Sequence, residues 1–168
     1  MDDWNTCRLA LERVSRTFSE PIRMLPPDLE RAVTVGYLLC RLVDTIEDHP
    51  ALPLATRDAL YADFLAILER QAPPERIAEP ARRAFPERNH ETELFDQLPV
   101  IWRVLSELSE PLQGAVLPWV AEMTRGMAIY SHRQPGPDGM FALLTLPDLE
   151  RYCFFVAGTV GYLLTDLF

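Results

Sequence analysis

The residues whose types and spacing could do chemistry lie in the segment from Tyr37 to Asp48. Tyr37, Arg41, Asp44 and Asp48 follow one another at steps of four, three and four residues, which places them on one face of a helix. Glu47 adds another carboxylate beside them. Like charges at the C-terminal end of a helix oppose the helix dipole and repel one another. The arrangement therefore costs stability unless a cation compensates for it.

Two interpretations of this polar stripe are open. In the first, it is a solvated helix end in which Arg41 pairs with Asp44 or Asp48. In the second, it lines a cavity, because apolar residues flank it closely: Val35, Leu38, Leu39, Leu42, Val43 and Ile46. Carboxylate oxygens suit Mg²⁺, which keeps water or phosphate oxygens in its coordination shell. A metal in this place would bridge the carboxylates to a diphosphate.

A second segment, Val156 to Gly161, is rich in small and β-branched residues. It includes Gly158 and Gly161, each of which costs roughly 1 kcal/mol relative to alanine in a helix interior. Such a surface serves either for close packing between helices or as a smooth wall for a long hydrocarbon ligand.

The elements that must position these segments are predicted to be helices, because apolar residues recur at spacings of three and four without sustained alternation. The predicted fold is therefore all-α. Fifteen prolines divide the chain. A surface connection with one irregular turn is predicted from Pro73 to Asn89, and a Pro/Gly loop from Gln134 to Gly139. Thr145 is predicted to cap the last helix. The predicted helices cover about 3–14, 22–23, 27–49, 54–71, 91–108, 111–133 and 146 to the C-terminus.

Composition narrows the function classes. The chain has 168 residues, and all 16 of its basic side chains are arginine. A lysine Schiff base and a P-loop lysine are thus excluded within this chain. The formal net charge of −9 argues against a nucleic-acid partner, whose phosphates most of the surface would repel.

The cysteines and the apolar stretches indicate where the protein resides. Cys7, Cys40 and Cys153 are widely spaced among apolar residues, which is typical of reduced thiols in a protein core. The N-terminus lacks the apolar region of a signal peptide. The longest uncharged stretch, 152–165, is shorter than the roughly 20 residues of a membrane span and is predicted to form a buried helix. We expect a cytoplasmic protein.

Three segments in order resemble the squalene/phytoene synthase family, the head-to-head prenyl synthases of the all-α isoprenoid synthase fold. Ser15-Arg16-Thr17-Phe18 is similar to the family's Ser-Arg-Ser-Phe. Tyr37 to Asp48 resembles its first aspartate-rich motif with the upstream Tyr and Arg. Tyr152 to Gly161 is similar to Tyr-Cys-x-x-Val-Ala-Gly-x-Val-Gly. Gly126-Met127-Ala128 is a weaker match between them, and the resemblance, which leans towards squalene synthase, covers essentially the whole chain.

The resemblance implies a role for each matching residue. Asp44 and Asp48, assisted by Glu47, would hold Mg²⁺ on an allylic diphosphate, and Tyr37 would support that site. Tyr152 would lie beside the reacting carbons and stabilise a carbocation or assist proton transfer. The implied substrate contacts fall into two groups, Arg41, Ser15, Arg16 and Thr17 at the diphosphate, and Phe18, Val156, Ala157, Val160 and Gly161 along the prenyl channel.

The implied activity is that of a prenyltransferase. One farnesyl diphosphate ionises with the help of the metal, the double bond of a second attacks the resulting cation, and a cyclopropyl intermediate forms. Rearrangement and reduction by NADPH follow if the final product is squalene. Because the final product is apolar, the resemblance also implies peripheral contact with the inner membrane.

The chain departs from the family in one respect. Family members carry a second aspartate-rich motif after the Val-Ala-Gly segment, and this sequence ends at Phe168 without it. We therefore expect residues 1–168 to be a single partial domain, the N-terminal half of an enzyme, inactive without the missing C-terminal half or a partner chain. The alternatives are a non-catalytic family member that acts as a binding or assembly factor, and an unrelated all-α metal-binding or scaffold domain.

Overall fold

The computed structural model describes residues 2–15, 17–133 and 143–168. All regular structure in these ranges is helical, which confirms the all-α prediction. Arg16 and the predicted loop from Gln134 to Gly139 lie outside the described residues. In chain order the helices are α1 Asp3–Val14, α2 Ser19–Arg23, α3 Pro27–Asp48, α4 Leu54–Leu68, α5 Ala78–Ala84, α6 His90–Glu107, α7 Glu110–Ser131, α8 Leu146–Cys153 and α9 Thr159–Leu167.

Helix α3 is the central element, packed against α1, α6 and α7. Pro27 begins it, since its fixed φ suits a first helical turn, and the helix ends before the His49-Pro50 pair. The six apolar residues predicted to flank the polar stripe are all completely buried: Val35, Leu38, Leu39, Leu42, Val43 and Ile46. The charged residues of α3 are therefore held on a scaffold that the core fixes on most sides.

The prediction of a surface connection with one irregular turn over 73–89 is correct for the turn and wrong for the rest. The segment contains a 3₁₀ turn, Pro74–Ile77, followed by α5. Ile77, Ala81 and Phe85 recur at four-residue spacing and are fully buried, and the Phe85 ring stacks on Phe95 of α6 with 5.3 Å between centroids. The apolar spacing overrides the prolines, because prolines early in a short helix need not break it.

The C-terminal segment also differs from its prediction as one buried helix. Thr145 caps α8 as predicted, its hydroxyl accepting a hydrogen bond from the Asp148 N–H at 3.3 Å. A π-helical turn, Phe154–Gly158, then separates α8 from α9. Only one face packs on the neighbouring helix α7, and it carries the buried residues Phe155, Thr159, Leu163 and Leu167. Most other side chains of the segment are partly or fully exposed.

The three cysteines differ in burial. Cys7 and Cys40 are buried as predicted, whereas Cys153 is exposed, so the prediction of three core thiols is wrong for Cys153. Its helix, α8, has no buried residue. Among the described helices, none combines the length and hydropathy that a membrane crossing requires.

Candidate active site

The polar stripe of α3 borders a cavity of about 470 Å³. Tyr37, Arg41 and Asp44 lie at its polar end, and the rest of the lining is almost wholly apolar. The apolar walls come from α2 and the chain around it, from α3 and α7, and from the C-terminal segment: Phe18, Pro21, Ile22, Leu25, Val33, Gly36, Cys40, Met123, Val156, Val160, Leu163, Leu164 and Phe168. A pocket with a few charged groups at one end of an apolar lining suits an amphiphilic ligand with a long hydrocarbon part.

Arg41 has two carboxylate neighbours. Its Nη2 donates a hydrogen bond to Oε1 of Glu91 on α6 at 2.5 Å, and its Nη1 lies 3.8 Å from Oδ2 of Asp44. The pairing of Arg41 with Asp44 that the first interpretation predicted is therefore present as the longer contact. Because the stripe also borders the cavity, the second interpretation describes the site better.

Glu91 is a site residue that the sequence analysis missed. It lies 50 positions from Arg41 in the chain, and no local spacing connects the two. The one available signal is its position in the first turn of a capped helix, where an acidic residue is ordinary. Its contact with Arg41 depends on how α3 and α6 pack together.

Two carboxylates at the site, those of Asp44 and Glu47, are poorly solvated. Burial raises the pKa of Asp44 to about 6, against the opposing effect of Arg41, and the charges of Asp48 and Glu91 raise it further. Burial raises the pKa of Glu47 to about 7, with a further contribution from Asp48. Asp48 itself is exposed. The ionised carboxylates are therefore energetically unfavourable at this site, and a bound cation would stabilise them.

Tyr152, on the C-terminal segment, contacts one of these carboxylates, that of Glu47. Its hydroxyl donates to Oε1 of Glu47 at 3.3 Å, and burial together with the Glu47 charge raises the pKa of Tyr152 to about 12. The phenol is thus protonated at neutral pH. Its ring packs against the Tyr130 ring at 5.1 Å. Tyr130 in turn donates to the carbonyl and Oδ1 of Asp148 at 3.1 and 3.2 Å.

Tyr152 lines a second cavity, of about 290 Å³, instead of the first. Glu47 and Tyr152 form one side of it, and the other residues are Arg57, Tyr130, Ser131, Arg133 and Leu143. The predicted catalytic residues are therefore divided. Tyr37 and Arg41 border the larger cavity, whereas Tyr152 joins the stripe through Glu47.

The predicted wall residues are divided as well. Val156 and Val160 line the larger cavity, whereas Ala157 and Gly161 are exposed in the described structure. A Cβ added to Gly161 would meet no atom within 4 Å, so close packing within the described residues does not explain this glycine. Val156 belongs to the π turn, an irregularity that is frequent at functional sites.

Close packing does explain Gly126, on α7 opposite the π turn. A Cβ placed there would lie only 2.0 Å from Cγ and 2.4 Å from Cβ of Phe155. The Phe155 ring also lies 6.1 Å from that of Tyr130, which packs on Tyr152. Gly126 therefore allows the approach that places the Tyr152 segment beside α3.

Of the N-terminal motif, Phe18 lines the larger cavity. Ser15 is buried, and its Oγ accepts a hydrogen bond from the Phe18 N–H at 3.0 Å, which fixes the turn into α2. Phe18 is 56% exposed, and its ring lies 6.0 Å from the Tyr37 ring at the polar end. Thr17 is exposed.

The donor set can be compared with what Mg²⁺ requires. In the described residues no group of three His, Cys, Asp or Glu side chains is arranged to hold a metal ion. Mg²⁺ is often bound through one or two carboxylates together with water and substrate phosphates. Asp44 and Asp48, one helical turn apart, fit that mode, in which further ligands come from the substrate or from other protein segments.

Comparison with known proteins shows to which family the chain belongs. A sequence model of the family described as squalene/phytoene synthase matches residues 11–168. The chain belongs to the squalene/phytoene synthase family. An unrelated all-α scaffold domain is thereby excluded, and the resemblance noted in the sequence is confirmed.

Individual members of the squalene/phytoene synthase family agree with this assignment. The chain is 31% identical over 162 residues to a squalene synthase of Schizosaccharomyces pombe, which covers 96% of this chain and 34% of that protein. It is 31% identical over 168 residues to squalene synthase BSS of Botryococcus braunii, covering 99% of this chain and 33% of that protein. The chain thus spans about a third of the length of these curated relatives.

A solved structure supports the fold. The complex of TcSQS with the ligand E5700 matches with a TM-score of 0.72 and 26% identity, over 98% of this chain and 44% of that chain. The predicted isoprenoid-synthase-type helical fold is thus confirmed for the part of the fold that this chain covers.

Proposed function

We propose that this chain forms part of the active site of a prenyltransferase that joins two prenyl diphosphates head-to-head. The observation that carries the proposal is the larger cavity, whose polar end holds Tyr37, Arg41 and Asp44 and whose remaining walls are apolar. A prenyl diphosphate has the matching division between an anionic head and a hydrocarbon tail. Membership of the squalene/phytoene synthase family supports the same reaction class.

At the polar end, Arg41 would contact diphosphate oxygens, and Ser15, Arg16 and Thr17 would be further substrate contacts. Asp44 and Asp48, with Glu47, would hold Mg²⁺, which when bound neutralises the diphosphate and favours its departure as a leaving group. The raised pKa values of Asp44 and Glu47 support a cation at this place, since they show that uncompensated negative charge is unfavourable there.

At the apolar end, Val156 and Val160 would contact the prenyl chain, and Phe18 would border its entrance. Ala157 and Gly161 would join the channel wall where other protein segments cover their exposed face. Tyr152 would lie beside the reacting carbons, because Glu47 connects it to the diphosphate end. Its phenol is protonated at neutral pH, so it would offer a hydrogen-bond donor and an aromatic face to a developing carbocation.

The proposed substrate is farnesyl diphosphate, and the proposed product is squalene or a presqualene- or phytoene-type product. NADPH would take part only if the product is squalene. The names of the two curated relatives favour squalene. We further propose a cytoplasmic protein with peripheral membrane contact, no nucleic-acid partner, and a need for the C-terminal half of the fold.

A second candidate function is a non-catalytic family member that binds a partner or assists assembly. The observation that favours it is the lack of a complete metal-binding group within the described residues. This candidate leaves the retained polar stripe without a purpose, although the stripe costs stability.

The test uses the protein expressed from the full reading frame that contains this chain. Farnesyl diphosphate, Mg²⁺ and NADPH are supplied, and presqualene diphosphate and squalene are measured. Asp44→Asn and Asp48→Asn should each lower the rate about 100-fold. Asp28→Asn is the matched control, because it makes the same change in the exposed first turn of the same helix.

Equal product formation by the wild-type protein and both stripe variants would refute the metal role of the stripe. If the wild-type protein binds farnesyl diphosphate but never turns it over, the binding or assembly function is favoured instead.

A further inference from the structure

We infer that Glu91 is a positioning residue that aims the Arg41 guanidinium at the diphosphate and keeps Arg41 away from Asp44. The inference rests on the proposed function, because it assigns Glu91 a task only if Arg41 binds the diphosphate. Glu91 belongs to α6, outside the three motifs that carry the family resemblance.

Glu91 contacts Arg41 but does not line the cavity. Arg41 and Asp44 do line it. Glu91 holds Nη2 at 2.5 Å, while Nη1 is 3.8 Å from Asp44. The Nε of Arg41 is buried and has no hydrogen-bond partner among the described residues. Glu91 is therefore the main polar anchor of this guanidinium.

The first turn of α6 is itself firmly fixed. Asn89 accepts a hydrogen bond from the Thr92 N–H at 2.9 Å, and the Thr92 hydroxyl accepts one from the Asn89 N–H at 3.0 Å. This capping box anchors both ends of the turn that contains Glu91, and Thr92 is buried. Glu91 also lies where the helix dipole favours a negative charge. The carboxylate thus approaches Arg41 from a rigid support.

Removing the Glu91 charge would leave Asp44 as the nearest carboxylate to Arg41. The two residues are three positions apart on one helix, a spacing that allows a direct ion pair. A closer Arg41–Asp44 pair would occupy both the cation meant for the diphosphate and the carboxylate meant for the metal. Glu91 therefore supports both binding functions by competing for Arg41.

A purely structural role for the Arg41–Glu91 pair would give a different result. Such a pair would contribute to the free energy of unfolding without changing the affinity for ligands in the folded protein. Glu91 and Arg41 are 41% and 29% exposed, so their contribution to stability is small. Ligand affinity therefore separates the two roles.

The experiment is calorimetric titration of the full-length protein with the thiodiphosphate analogue of farnesyl diphosphate, whose C–S bond resists ionisation so that binding is measured without turnover, at fixed MgCl₂, and with MgCl₂ at a fixed concentration of the analogue. Glu91→Gln should raise both the Kd for the analogue and the Mg²⁺ concentration at half-saturation about fivefold. Glu91→Asp keeps the charge and should restore part of the affinity. Glu93→Gln is the matched control, since Glu93 lies in the same turn and is 42% exposed.

Arg41→Gln and the double variant Arg41→Gln/Glu91→Gln distinguish the ways of failing. If Glu91 acts through Arg41, the double variant should bind the ligand no more weakly than Arg41→Gln alone. Wild-type affinity in Arg41→Gln would refute the role of Arg41 in the proposed function. Weak binding by Arg41→Gln, with Glu91→Gln and Glu93→Gln both at wild-type affinity, would overturn only the inference about Glu91. A full additional loss in the double variant would overturn it as well.

Discussion

Helix α3 and the C-terminal segment from α8 to α9 meet at the proposed site but are held in different ways. α3 is surrounded by α1, α6 and α7, and its apolar residues are buried almost all round. The C-terminal segment packs one face on α7 and α3, and its other face, with Cys153 and Gly161, is exposed. The anionic end of the site is therefore built into the core, whereas the hydrocarbon end depends on a single packed face.

This difference separates two kinds of requirement. Charged side chains must be fixed against their mutual repulsion, which a helix buried on most sides can do. A hydrocarbon wall requires only shape, which small residues and an irregular turn provide. Substitutions in the two regions should accordingly affect different quantities, and the following predictions test the contrast from the largest expected effect to the smallest.

The cysteines report the contrast directly. Cys40 of α3 is buried, and desolvation together with the Asp44 charge raises its pKa to about 12. Cys153 of α8 is exposed. Since the thiolate is the reactive form, N-ethylmaleimide at pH 7 should label Cys153 at least about 100-fold faster than Cys40, as measured by mass spectrometry of digested protein.

Cys153→Ser should abolish the fast labelling, and all three thiols should react in denaturant. Protection of Cys153 in the folded full-length protein would contradict the contrast, because it would show that other segments cover the α8 face.

The second prediction concerns the packing of the π turn against α7. A Cβ at Gly126 would overlap Phe155 at the base of its side chain, where rotation of the ring gives little relief. Gly126→Ala should therefore lower the free energy of unfolding by about 3 kcal/mol. Denaturant unfolding measures the change. Gly114→Ala is the control on the same helix, since a Cβ there meets nothing within 4 Å and should raise stability by up to about 1 kcal/mol.

A neutral Gly126→Ala would mean that Phe155 moves easily, and that the packed face of the C-terminal segment is less fixed than the structure indicates.

Features decided by neighbours in the chain could be predicted from the sequence. Pro27 and the His49-Pro50 pair fix the ends of α3, and helical periodicity places Tyr37, Arg41, Asp44 and Asp48 on one face. These are local effects of backbone conformation. The N-cap at Thr145 was predicted for the same reason.

Features decided by tertiary packing could not be predicted. The prolines of 73–89 concealed the four-residue spacing of Ile77, Ala81 and Phe85, which only becomes decisive when α6 supplies a surface to bury it. The π turn has no pattern of its own in the sequence. The contact between Arg41 and Glu91 joins residues 50 positions apart and depends on the packing of α3 with α6.

The hydrocarbon wall gives the third prediction. Val160 lines the cavity, whereas its neighbour Gly161 is exposed. Val160→Phe should fill part of the 470 Å³ and weaken binding of farnesyl diphosphate about tenfold, while the shorter geranyl diphosphate is affected less. Calorimetric titration with both diphosphates in EDTA, where no metal is present to promote turnover, measures the difference.

Gly114→Ala is the control, because a Cβ there meets nothing within 4 Å and Gly114 does not line the cavity, and it should leave both affinities unchanged. Equal weakening of both ligands by Val160→Phe would place the prenyl chain elsewhere.

The smallest effect concerns the protonation of the stripe in metal-free protein. The pKa of Glu47 is about 7 in the folded state against an ordinary value of 4.5, so the folded state binds this proton more tightly than the unfolded state. The stabilising contribution is complete below about pH 4.5 and is lost as the pH rises through 7. In EDTA, the free energy of unfolding should therefore decrease between pH 5 and pH 8. Glu47→Gln, which keeps an oxygen for Tyr152 to donate to, should remove about 1 kcal/mol of that decrease after allowance for solvent screening.

Thermal unfolding at pH 5 and pH 8 measures the effect of Glu47→Gln, which corresponds to a change of roughly 2–4 °C in the Tm difference between the two pH values. Glu93→Gln, at a half-buried residue outside the stripe, should retain the wild-type dependence. The ion pairs of Asp3 with Arg103 and Asp148 with Arg133 lower the pKa of their carboxyls and are unchanged in Glu47→Gln, so they cancel in the comparison. Mg²⁺ should raise the Tm of the wild-type protein more at pH 8 than at pH 5, because the cation competes with the proton for the same oxygens. An identical pH dependence in the wild-type protein and Glu47→Gln would show that the stripe is solvated, and that the contrast between a core-held anionic end and a surface-held hydrocarbon end is wrong.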